Sequence, residues 1–293
     1  MNSMLRGPRG VVSSVLSCLL CLAGGALGSS EEALTPVARL AAADLEWSRR
    51  AEGANGELAA PGPVEQAIAG YRRVLTDNPD AVESRWRLVR ALHFRGRFCA
   101  ARAEKRRRWF EEARGVAEDG VRRLDSVAAP GEARLQALRR VPGSASLYLW
   151  AAVAWGEWAL ARGKLAAVMQ GAAVKVRDLT RISVDIDPAI EHGGGYRILG
   201  RLHDDCPRIP FITGWVSHQA ALDYLRAAVA IAPDNSVNTL FLAEAILRHD
   251  PERKQEARQL LERCAAMSPH PEYLVEDRHF SARARRRLEG LRR

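Results

Sequence analysis

His192, His203, Asp204 and Cys206 are the residues of this chain whose types could do chemistry together. Imidazole, carboxylate and thiolate form the ligand set of zinc, but such a centre needs three or four ligands held at firm spacing. Pro207 and Pro210 follow immediately and predict an extended loop between helices instead of a rigid ligand frame. A second option is the run Gly193-Gly194-Gly195-Tyr196-Arg197-Ile198-Leu199-Gly200, because glycines at a helix start let backbone amides approach an anion. Its spacing fits neither the dinucleotide fingerprint nor the phosphate loop with its lysine, so close helix packing is the expected use. His93 has no second candidate ligand one turn away. No nucleophile stands beside a base, and no acid pair is evident. The expectation is a protein with no catalytic residues, no cofactor and no metal, which acts by binding.

The elements that must present such a binding surface are helices. Ala, Leu, Arg and Glu are abundant and strand-favouring runs nearly absent, which points to an all-α fold. In QAALDYLRAAVAIAPDN, Ala221, Leu225 and Ala228 follow one another by four and three residues and so share one helix face, and Pro233 ends the helix. The same pattern recurs as Ala67, Tyr71, Val74 and Pro79, and as Ala257, Leu261, Cys264 and Pro269. Small residues where helices touch, a bulky one between them and a closing proline are the signature of the second helix of a tetratricopeptide (TPR) unit, whose period is about 34 residues. The spacing of the closing positions is longer than that over most of the chain. The predicted architecture is therefore a TPR-like helix-turn-helix solenoid of about five helical pairs with irregular, elongated repeats, a fold that is first of all a binding surface.

The chain has 293 residues and a formal charge of +9. That balance raises nucleic acid or anionic membrane as partners. No aromatic-rich basic platform accompanies it, so nucleic acid is not expected and membrane contact stays open. Residues 1–28 read as a secretory signal, with Arg6 and Arg9, an apolar core from Val11 to Leu22, and Ala26-Leu27-Gly28 before the mature start at Ser29. The rival is lipid anchoring at Cys18. Either reading makes residues 29–293 one exported α-helical domain, in which Cys99, Cys206 and Cys264 leave at least one free thiol.

Further along, the spacing predicts a loop over Gly53 to Pro63 and helices over Val64 to Asp77, Ala81 to Arg97 and Lys105 to Val127. Pro142-Gly143-Ser144 reads as a turn and N-cap. Leu147 to Ala161, LYLWAAVAWGEWALA, is apolar nearly all round and is expected to be interior, followed by one helix from Leu165 to Asp185. Tyr148, Trp150, Trp155, Glu157 and Trp158, with Tyr196 and Arg197, are candidate lining residues of a groove or channel for an apolar ligand. Glu157 needs a partner there, for which Arg197 or Lys164 is the candidate. Helices over Ser236 to His249, Glu252 to Met267 and Ser281 to Leu291 complete the chain, the last as a polar cap on the stack.

Leu147-Tyr148-Leu149-Trp150-Ala151-Ala152, Trp155-Gly156, Trp158-Ala159, Gly163-Lys164-Leu165-Ala166-Ala167, the glycine run to Gly200 and Ala232-Pro233-Asp234-Asn235 together resemble the T component of TRAP transporters. The resemblance covers roughly Leu45 to the C-terminus. It implies a periplasmic TPR-like subunit, a trimer, whose partner is the transporter's solute-binding protein and whose protomers hold an apolar small molecule in a channel. Members of that family are commonly lipoproteins, which the weak lipobox at Cys18 does not match. A general cell-envelope scaffold is the alternative.

Overall fold

The structure is a computed structural model that describes residues 35–100, 102–126 and 132–292. The export signal and Cys18 fall outside the described residues. Among them there is no strand, only an isolated bridge between Asn55 and Leu58.

Antiparallel helix pairs follow one another along the chain: α1 (Pro36–Ser48) with α2 (Pro61–Asp77), α3 (Val82–Phe98) with α4 (Ala103–Ser126), α6 (Ser144–Arg162) with α8 (Ala172–Ile186), α9 (Ile190–Asp205) with α10 (His218–Ile231), and α11 (Ser236–His249) with α12 (Lys254–Ala266). This is the TPR-like solenoid of five pairs. Its packing follows the small-large-small rule, since Ala67, Tyr71, Ala221, Leu225, Ala228, Ala257, Leu261 and Cys264 are all fully buried. Lys105, Arg107 and Arg108 of the charge run are exposed, as a run on a helix face should be, while Arg106 is half-buried. Cys99, Cys206 and Cys264 are free thiols.

Several boundaries differ from the sequence expectation. α2 begins at Pro61, inside the expected loop, because prolines are compatible with a first helical turn whose amides have no partner. The helix expected from Leu165 to Asp185 is two, α7 (Lys164–Met169) and α8, divided at Gly171, whose φ of 62° cannot continue a right-handed helix. α5 (Glu132–Arg140) has no counterpart in the sequence reading. Ser144 is not an N-cap: Gly143 holds that position at φ 78°, and the Ser144 hydroxyl donates to the Leu138 carbonyl at 2.7 Å.

The largest difference is at the C-terminus. α13 (Leu274–Arg292) starts seven residues before Ser281; it packs on the last pair, α11 and α12, as a cap on the stack should, but does more than cap it. Its Val275 is buried among Trp47, Val64 and Phe94 of the first helices, and its Phe280 packs against both the N-terminal and the C-terminal core. The last helix thus reaches the first hairpin through Val275 and the Arg50–Glu276 pair, and the helices between them line a cavity that is partly open to solvent.

Candidate functional site

That cavity has a volume of about 670 Å³, within the range of small-molecule sites. α6 supplies one wall through Leu149, Trp150, Val153, Gly156, Glu157 and Leu160, positions that recur three and four apart. α1 and α3 add Trp47, Phe94 and Phe98, α9 adds Ile198 and Leu202, and α11 and α13 add Phe241 and Phe280. One mouth is edged by Leu160, Val168 and Ile212, apolar side chains exposed to solvent.

Of the residues singled out in the sequence, Trp150, Glu157 and Arg197 line this cavity. Tyr148 does not: it is fully buried between helices and its hydroxyl donates to Asp125. Trp155 and Trp158 face the opposite side of α6, edge to face at 5.4 Å, with the Arg114 guanidinium over both rings. Tyr196 stacks on Tyr224 with ring centroids 6.3 Å apart. A helix apolar all round has several buried faces, and only the tertiary packing chooses which one meets open space.

Glu157 is paired, though with neither expected partner. Its Oε1 lies 3.5 Å from both His93 Nε2 and Arg97 Nη1. Burial alone would raise its pKa, but the His93 hydrogen bond and the Arg97 charge hold the carboxyl below the usual carboxylate range. Arg197 binds elsewhere, and the side chain of Lys164 lies outside the described residues.

One end of the cavity is organised by an irregular start to α9. Glu191 (φ 47°), His192 (φ 58°) and Gly193 (φ 77°) all adopt left-handed backbone, which two non-glycine residues adopt only when the surroundings compel it. A Cβ on Gly193 would lie 3.2 Å from the Ala228 backbone of α10, so the glycine here does serve close packing. Asn238, fully buried at the start of α11, ties the pieces together. Its amide donates to the carbonyls of His192 and Ala228, both at 2.9 Å, and its Oδ1 accepts from Arg197 Nη1 at 2.6 Å.

Four cations of the lining meet carboxylates: Arg50 pairs with Glu276, Arg97 with Glu157, and Arg201 and Arg283 with Glu244. Arg197 and Arg90 have no ion pair among the described residues. Burial pushes the Arg197 guanidinium down to about 10, so it keeps its proton at neutral pH. Arg90 is held over Trp47 and Trp86, 4.3 and 4.7 Å from the ring centroids, and its buried Nε finds no acceptor. Burial lowers its pKa too. The one carboxylate that acts on both is Glu191, whose Oε1 accepts from Trp150 Nε1 at 3.2 Å.

The four residues of the sequence-level metal option are not brought together, and among the described residues no group of three or more His, Cys, Asp or Glu is placed to hold an ion. His203 Nδ1 accepts from the Ser217 amide at 3.0 Å, Asp204 pairs with Arg201, Arg248 and His249, and His192 Nε2 sits 3.3 Å from the Tyr273 hydroxyl. Among the described residues no helix is long and apolar enough to cross a membrane.

No protein-family model matches the chain, and no curated protein does. Among solved structures, a human IFIT1 dimer with m7Gppp-AAAA is similar over 88% of this chain and 56% of its own, at 16% identity and a TM-score of 0.40. Yeast Tom70 is similar over 88% of this chain and 66% of its own, at 11% identity and a TM-score of 0.28. The chain therefore spans about half the length of the first and less than two thirds of the second. The fold assignment stands on the helix pairing itself.

Proposed function

We propose that this protein is a non-enzymatic binding subunit that holds an apolar small molecule in the cavity lined by its TPR-like solenoid. The observation that carries the reading is that cavity: about 670 Å³, walled by aromatic and aliphatic side chains of α1, α3, α6, α9, α11 and α13, with an apolar rim at one mouth. Transfer of an apolar molecule into such a space is driven by the removal of its surface from water. The proposal extends to an exported, periplasmic protein that serves as the T component beside a TRAP-type solute-binding protein, a role supported by the sequence resemblance between Leu147 and Gly200. Titration with dodecanol, followed by the fluorescence of Trp47 and Trp150, tests the cavity. Saturable quenching is expected, and its absence would overturn the reading. Co-sedimentation with a TRAP-type solute-binding protein from the same organism tests the partner, and mass spectrometry of the mature N-terminus separates Ser29 from an acylated Cys18.

A further inference from the structure

The lining of the cavity is not electrically uniform. At the end formed by α3 and the start of α9, two half-buried guanidinium groups, Arg90 and Arg197, line the cavity and make no ion pair among the described residues, and one carboxylate, Glu191, acts on both. At that corner those three groups sum to one positive charge, and a charge partly withdrawn from water without a partner is costly. The opposite end, where Leu160, Val168 and Ile212 edge the mouth, is apolar. From Leu149 beside this corner to Leu160 at the mouth, α6 rises about 16 Å at 1.5 Å per residue.

We propose that the cavity is a site for an amphipathic anion, with Arg90 and Arg197 receiving a carboxylate or comparable anionic head and the apolar tail lying along α6 toward Leu160. The two cations divide the work. Arg197 is fixed by Asn238 Oδ1 at 2.6 Å and by the Glu191 carbonyl at 3.5 Å, and it lines the cavity. Arg90 is fixed by the Trp47 and Trp86 rings, and its guanidinium makes no hydrogen bond among the described residues. Glu191 is the internal counter-ion, and a bound head competes with it for the same two groups. The pairing is electrostatic and involves no bond-making step. It rests on the reading of the cavity as a ligand site, and the experiment separates the two.

Dodecanoate, dodecanol and dodecyltrimethylammonium are titrated into the full chain at neutral pH, below their micelle concentrations, with tryptophan fluorescence and calorimetry as readouts. Dodecanoate is expected to bind about tenfold or more tighter than dodecanol, the effect of a hydrogen bond to a charged group, and the ammonium to bind most weakly. Arg90→Met should remove that preference, lowering dodecanoate affinity toward that of dodecanol. Glu191→Gln should move the preference the other way, tightening dodecanoate. Equal affinity of the unmodified protein for dodecanoate and dodecanol overturns the anion site while the apolar cavity stands. Failure of all three to bind overturns both. Because the comparison of probes on the unmodified protein decides the matter alone, a variant that fails to fold does not shield the proposal.

Discussion

Arg50 donates through both Nε and Nη2 to one oxygen of Glu276, each at 3.1 Å, across 226 positions of the chain. The arginine is 3% exposed and also donates to the Glu272 carbonyl, with its guanidinium 4.4 Å from the Trp47 ring. This is the clasp between the first hairpin and the last helix. Removing one partner of a buried pair strands the other, so Glu276→Ala is expected to cost about 3 kcal/mol, read from urea unfolding by circular dichroism. Replacing both, as Arg50→Met with Glu276→Leu, should cost less than the single change. A double variant less stable than the single one would show that the clasp is not an uncompensated-charge problem.

Glycines divide by what a methyl group would meet. On Gly200 of α9, a Cβ would sit 2.5 Å from Leu225 Cγ and 3.2 Å from the Ala221 carbonyl of α10. On Gly115, exposed in α4, it would meet nothing within 4 Å. Alanine gains about 1 kcal/mol of helix propensity at either site, and overpacking costs about 1–3 kcal/mol. Gly200→Ala is thus expected to lower the unfolding midpoint and Gly115→Ala to raise it. Equal shifts in the same direction would refute the tight α9–α10 contact.

How much of this was legible in the sequence follows from the range of the interactions involved. The Ala221, Leu225, Ala228 face and its two echoes depend on spacing within one helix, and the sequence carries that spacing directly. Trp150, Glu157 and Arg197 were visible for the same reason, as unusual residues on apolar or glycine-rich helices. Val153, Gly156 and Leu160 form the stripe that could have marked the cavity face, had it not been one apolar stripe among several. Arg90 carried no such signal, since an arginine in an arginine-rich helix reads as solvated surface. Its role appears only once α13 returns to α1, and that closure rests on Arg50–Glu276, Glu57–Arg286 and Val275, contacts between distant segments.

His279 links the same closure to pH. Its ring packs edge-on to Phe98 at 5.6 Å, and Nδ1 lies 3.1 Å from Glu57 Oε2. Burial lowers its pKa from the ordinary 6.5, with Arg97 adding to the effect and Glu57 opposing it. The folded state therefore binds fewer protons than the unfolded one below about pH 6.5, and the contribution present above that pH is lost as it falls through this window. His203, likewise pushed down by burial, adds a second part. The urea midpoint is expected to drop on going from neutral to mildly acidic buffer, and to drop less in His279→Phe. An unchanged slope in that variant would remove His279 from the account.

The cavity makes a final prediction in which position outweighs chemistry. Val153 lines the open space on α6, whereas Ala154, the next residue, is 1% exposed and packed into the N-terminal core. Adding an indole at Ala154 must displace close-packed neighbours, at a cost of several kcal/mol by the standard of about 1–3 kcal/mol for a few extra methylenes. At Val153 the same indole enters a space of about 670 Å³ and buries apolar area that water or ligand would otherwise cover. Val153→Trp is therefore expected to change stability by about 1 kcal/mol or less, and to weaken dodecanol and dodecanoate together, because it takes volume from the tail and leaves Arg90 and Arg197 untouched. Ala154→Trp should unfold the chain or lower its midpoint sharply. If Val153→Trp keeps full affinity for dodecanol, the tail does not lie along α6, and the ligand, if bound, occupies another part of the molecule.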